Sequence, residues 1–113
     1  MRLLTEKMKN EIEKRYPLYS QDGMGEKATC VVKFFLANWT WYILEGRRED
    51  DDFIMFGIAL NGMGDEYGYV SLKELESVSV HGFQVERDLY FERQKLENIN
   101  DPQLHDFLTQ MAA

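Results

Sequence analysis

Large apolar residues recur at every second position in three stretches between Ala28 and Leu60, and at every third or fourth position at the two ends of the chain. Period two marks strands and a period near 3.6 marks helices. Cys30, Val32, Phe34 and Leu36 alternate with Thr29, Val31, Lys33 and Phe35, which predicts a strand over residues 28–36. Ala37-Asn38 makes a short turn into a second strand over residues 39–45, and the two form an antiparallel hairpin. A charged connection over residues 46–52 leads to a third strand over residues 53–60. Ile54, Phe56, Ile58 and Leu60 share one of its faces, and Gly57 on the other leaves room for a bulky neighbour. Asn61-Gly62-Met63-Gly64 is a turn before a short fourth strand over residues 66–70.

The helices carry start and stop signals. Leu4, Met8 and Ile12 line one face of a helix over residues 3–14, with Thr5 placed to cap it. Tyr16-Pro17 ends it, because the residue before a proline avoids the α region. Residues 20–27 are a polar loop. Ser71-Leu72-Lys73-Glu74 is a capping box opening a short helix over residues 72–77, with Leu72 and Leu75 inward. His81-Gly82 is a turn, and residues 83–85 and 88–91 are extended. Asp101-Pro102 is a cap followed by proline at the first helical position. It opens a last helix over residues 101–111, with Leu104, Phe107, Leu108 and Met111 at helical spacing. The order predicts an α+β fold: an antiparallel sheet of four to five strands with an N-terminal, a short middle and a C-terminal helix. Residues 1–113 form a single domain with its core over about 3–92.

The second strand holds both tryptophans, in Asn38-Trp39-Thr40-Trp41-Tyr42. Alternation puts Trp39, Trp41, Ile43 and Glu45 on one side and Thr40, Tyr42 and Leu44 on the other. Both sides are bulky, so the strand is central and covered on both faces, or it presents an aromatic surface on one.

Composition narrows the class. An apolar share of 44% supports a real core and excludes the disordered class. One cysteine, Cys30, excludes an internal disulfide and fits a reducing compartment. No stretch approaches the roughly 20 apolar residues of a membrane span, so the expectation is a soluble cytoplasmic protein. The formal charge of −7 disfavours broad binding to nucleic acid, which needs clustered bases. It permits a basic partner.

Candidate chemistry is sparse. In an extended segment Glu86, Asp88, Tyr90 and Glu92 share one side, where paired carboxylates beside Tyr90 suit acid–base work or a metal. The structural alternative is an ion pair from Arg87 to Glu45 or Glu66. The run Glu49-Asp50-Asp51-Asp52 lacks the spacing of a calcium loop and reads as a solvated turn. His81, His105 and Cys30 are isolated and make neither a zinc site nor a triad. Gly62, Gly64 and Gly68 read as turn glycines beside Asp65 and Glu66, which repel phosphate. No catalytic residue, metal site or cofactor is assigned. The aromatic set Trp39, Trp41, Tyr42, Tyr67, Tyr69 and Tyr90 either packs inside, lines a protein interface, or stacks single-stranded bases.

An ordered series of motifs carries a family resemblance. It includes Leu3-Leu4-Thr5, Pro17-Leu18-Tyr19-Ser20, Val32-Lys33-Phe34-Phe35 and Asn38-Trp39-Thr40-Trp41-Tyr42 with Glu45. Phe56-Gly57, the run from Gly68 to Glu76 and the run from Val85 to Glu92 complete it. The chain resembles a bacterial domain-of-unknown-function family, the one numbered twenty-nine fifty-eight, common on plasmids and integrative elements. The connection after Glu45 is short for that pattern, the turn over residues 80–83 lacks the proline expected nearby, and the last helix lies beyond it. The resemblance implies a mobile-element setting and carries over no catalytic residues; an anti-defence role follows by analogy alone. The resulting expectation is a non-enzymatic module that binds another protein. Its candidate contact residues are Trp39, Trp41, Tyr42, Glu45, Tyr69, Glu86, Arg87, Asp88 and Tyr90. The alternatives are single-stranded nucleic-acid binding through Trp39, Trp41 and Tyr42, and a hydrolase-type enzyme using Glu45, Glu86 and Asp88.

Overall fold

Alternation of large side chains on both faces of a strand demands cover on both faces, and the fold supplies it. A computed structural model describes residues 2–112. Helix α1 (Glu6–Arg15) begins where Thr5 Oγ1 accepts from the Met8 amide at 3.1 Å and ends at Tyr16. Strands β1 (Thr29–Cys30), β2 (Val32–Leu36), β3 (Trp39–Glu49), β4 (Asp52–Leu60) and β5 (Glu66–Ser71) follow. Next come α2 (Leu72–Ser77), the short strands β6 (Ser79–Val80), β7 (Phe83–Gln84), β8 (Glu86–Arg87) and β9 (Gln94–Lys95), and α3 (Pro102–Ala112). The main sheet is antiparallel, in the order β5-β4-β3-β2-β8. This is the expected α+β architecture.

Each face has its own apolar cluster. On one, Val32, Phe34, Trp41, Ile43, Phe53 and Met55 pack against Leu4, Ile12 of α1, and Leu72 and Leu75 of α2. On the other, Tyr42, Leu44, Ile58 and Leu60 pack against Leu96, Ile99 and the α3 residues Leu104, Phe107 and Leu108. Asp101 caps α3 by accepting from the Gln103 amide, while Met111 projects outward. The capping box at Ser71 holds through its first half: the Ser71 hydroxyl accepts from the Glu74 amide at 3.2 Å.

Four local expectations are corrected. The strand over residues 28–36 is broken at Val31, whose amide donates to the Ile43 carbonyl at 2.8 Å. Upstream of that point β1 leaves the main sheet to pair with β9, so Cys30 joins the α3 side while Val32 joins the α1 side. The charged connection after Glu45 is strand: β3 runs on to Glu49 and turns at Asp50, whose φ is +56°. Charge does not end a strand where its side chains reach solvent or a partner. Residues 88–91 form a turn rather than a strand, with the Phe91 amide bonded to the Asp88 carbonyl.

The fourth correction concerns register. Ile43 pairs with Gly57 but Glu45 pairs with Phe56, so Leu44 is an extra residue in β3, a bulge. The bulge reverses the alternation. Gly46, not Glu45, continues the α1 side: a Cβ there would meet the Phe53 ring and, at 3.1 Å, Ile12. Glu45 therefore leaves the side of Trp39 and Trp41. Gly57, opposite the bulge, admits the β3 backbone itself, since a Cβ would overlap the Tyr42 carbonyl oxygen.

Candidate protein-interaction surface

The hairpin turn at Ala37-Asn38 places Trp39 and Trp41 on the α1–α2 side of the sheet, at the end that α1 leaves uncovered. Their rings stack at 5.5 Å between centroids with 16° between planes. Trp41 is 8% exposed and belongs to the core, whereas Trp39 is 39% exposed. Alternation accounts for the shared side, and position at the strand end accounts for the difference. Beside them runs a groove of about 270 Å³, bounded across the sheet by α2 and Val78. Its floor is small: Ala59 and Gly68 stand where larger side chains would fill it, and Gly57 brings bare backbone to it. Glu66 and Glu74 bring carboxylates to it, and no base lines it. Gly68, expected in a turn, lies inside β5.

The other aromatics go elsewhere. Tyr42 is buried on the α3 side, and its hydroxyl donates to Asp101 Oδ2 at 2.6 Å. Burial, reinforced by the Asp101 carboxylate, pushes its hydroxyl far above the ordinary tyrosine range. Tyr67 stacks on Phe56 at 5.8 Å. Tyr69 is exposed, its ring packs on Phe56 at 5.1 Å, and the neighbouring Tyr19 hydroxyl raises its pKa. Tyr90 is 95% exposed, in the turn after β8.

The charged candidates have structural partners. Glu45 is 3% exposed, and its carboxylate accepts from the Tyr19 and Gln21 amides, each at 2.7 Å. Gln21 completes the arrangement: its Nε2 donates to the Thr29 and Leu44 carbonyls and its Oε1 accepts from the Thr29 amide. The bulge is thus stitched to the loop after α1 by two buried polar side chains, and every lone pair so used is unavailable to a substrate. Arg87 pairs with neither Glu45 nor Glu66; its Nη1 donates to the Leu3 carbonyl at 2.8 Å and approaches Met8 Sδ at 3.1 Å. Asp88 faces Lys33 at 3.7 Å and accepts from the Tyr90 amide. Glu86 is exposed on β8, opposite Phe35. With β2 lying between β3 and β8, Glu45 does not converge with Glu86 and Asp88.

The acidic run is used locally. Glu49 faces Arg47 at 3.4 Å, Asp50 makes the turn, and Asp51 pairs with Lys73. Burial pushes the Asp52 carboxyl up, but hydrogen bonds from Ser71 and from the Lys73 and Phe53 amides hold it below its ordinary value. Cys30 is buried, and desolvation pushes its thiol far above the ordinary range. Among the described residues no three His, Cys, Asp or Glu side chains group as a metal site.

Sequence reasoning missed Glu66, Gly68 and Glu74 as neighbours of the tryptophans. A glycine inside a strand was the available signal, since it marks a bulge or a close approach. Gln21 carried none, because its partners depend on the bulge.

These features define a small α+β protein whose polar interior groups are structural and whose open groove lies at one end of the sheet. The chain belongs to the family described as protein of unknown function (DUF2958), whose profile matches residues 3–99. The match ends before α3. No curated protein and no solved structure matches the chain. No helix among the described residues is long and apolar enough to cross a membrane.

Proposed function

We propose that the chain is a non-enzymatic protein-interaction module, an accessory protein of a mobile element. The contact region is the end of the sheet around Trp39, Glu66 and Gly68, with the exposed Tyr69 ring on the opposite face of β5. The supporting observation is the groove itself: an exposed indole stacked on a buried one, above a floor of small residues, with carboxylates at the rim. A rigid aromatic backed by core is the kind of anchor that concentrates binding energy in protein interfaces. Base stacking has weaker support, since Tyr42 is buried on the opposite face and no base lines the groove. The hydrolase reading has the least, because Glu45 is occupied by two backbone amides. The mobile-element setting rests on the family resemblance, and the anti-defence role on analogy.

The test is a pull-down of the tagged chain from its host, with and without nuclease, beside a Trp39→Ala variant. The module reading expects a partner that survives nuclease and is lost with Trp39→Ala at unchanged thermal stability. Partners that vanish with nuclease, together with quenching of tryptophan fluorescence by an oligonucleotide, transfer the case to nucleic acid.

A further inference from the structure

We propose that the free edge of β5 accepts an extended, basic segment of the partner as a sixth strand, laying one cationic side chain into the groove over Gly68. The inference rests on the interaction-module reading and specifies its mode. Among the described residues β5 pairs only with β4, and none of its six residues is buried. In an antiparallel pair alternate residues direct N–H and C=O away from the neighbour, so the outer side of β5 offers a row of unpaired backbone groups. Sheet edges are normally protected by lysine, proline, a bulge or brevity. β5, Glu-Tyr-Gly-Tyr-Val-Ser, has no lysine and no proline, and its register with β4 is unbroken.

Gly68 adds the second observation. Its φ is not in the left-handed region, and nothing lies within 4 Å of where a Cβ would stand. The fold does not require glycine there, and a glycine within a strand suits close approach of another backbone. The groove adds the third. Glu66 and Glu74 form no ion pair among the described residues, and no base lines the groove. An arginine or lysine stem lies over Gly57, Ala59 and Gly68 against the Trp39–Trp41 wall, with its head at these carboxylates. A second copy of this chain fits less well, since its β5 supplies no base and the chain as a whole carries the same charge of −7. Main-chain hydrogen bonds then give affinity and the groove gives choice of side chain, as in strand-addition domains.

The probe is a synthetic peptide of about ten residues alternating arginine with threonine, titrated into the full chain and followed by amide NMR. Expected are shifts concentrated at residues 66–71 and Trp39. N-methylation of the peptide backbone at one parity weakens binding about ten-fold, the cost of one or two lost backbone hydrogen bonds, while the other parity is neutral. Replacing arginine by glutamate abolishes binding. Gly68→Lys, which places the chain's own cation in the groove, abolishes it at unchanged melting temperature. No binding, shifts centred elsewhere, or binding indifferent to both N-methylation and Gly68→Lys overturns the proposal; the last is generic charge attraction. A dimer of the free chain that Gly68→Lys dissociates also overturns it, in favour of self-association. If the peptide fails while the nuclease-resistant partner still depends on Trp39, only the strand-addition mode falls and the module reading stands.

Discussion

The two edges of the main sheet are finished in different ways. At the β8 edge only two residues pair, with Phe34 and Phe35, and a turn then carries the chain off. Arg87 is held beneath α1 by the Leu3 carbonyl, and the Asp88 amide closes on the Lys33 carbonyl at 2.9 Å. At the β5 edge six residues run straight beside β4, with no strand paired on the outer side among the described residues. Short, anchored edges resist pairing, and long unprotected ones invite it. The same contrast appears within one pair of residues. Gly57 and Gly68 face each other across β4 and β5, yet the first is needed by the backbone behind it and the second by nothing in this chain.

The largest expected effect breaks that pair apart. Gly57→Ala forces a Cβ into the Tyr42 carbonyl and should cost about 3 kcal/mol, lowering the melting temperature by roughly 10 °C. A variant as stable as the parent would show that the bulge relaxes freely and that Gly57 is not constrained. Next, Arg87→Ala removes a charged donor from a partly buried carbonyl and should cost about 2 kcal/mol in a urea titration. Hydrogen exchange should quicken in β8 and beside Leu3, with β5 unaffected; quickening at both edges would mean that they are not independent.

Asp52→Ala removes two hydrogen bonds at the start of α2, which borders the groove, and one to the Phe53 amide at the start of β4, and should cost about 1 kcal/mol. Because the folded Asp52 carboxyl sits below its ordinary value of 3.8, its stabilisation is present above that value and is lost as pH falls through the lower folded one. The parent and the variant should therefore converge in stability in strong acid, and parallel pH curves would refute the assignment. Smallest is Gly68→Ala, expected to stabilise by about 0.5 kcal/mol, since the site is open and alanine restricts the unfolded chain. A marked loss there would place an unseen demand on Gly68 and weaken the contrast between the edges.

Much of the fold is legible locally. Thr5, Ser71 and Asp101 mark helix starts by side-chain chemistry that acts within three residues, and each caps its helix. Alternation located β2, β3 and β4, because a strand covered on both faces must carry bulk on both. The bulge at Leu44 was not legible. It depends on how β4 pairs, and it moved Glu45 from the side of the tryptophans into a buried bond with the Tyr19 and Gln21 amides. The β1–β9 pairing joins Thr29 to Lys95, and two-residue strands leave no periodicity to read. Of the candidate surface, the tryptophans were visible, but Glu66, Gly68 and Glu74 come to them only through the β3–β4–β5 order.

By itself the sequence determined the helices, the central β2–β3 hairpin, the fold class and the membership of the family, because caps, turns and apolar period act over a few residues. Tertiary structure alone decided that Trp41 is core while Trp39 reaches solvent, that Glu45 is structural, and that one sheet edge is closed and the other open. Those outcomes depend on what lies across the sheet and at its ends, and such neighbours are set by pairing between segments far apart in the chain.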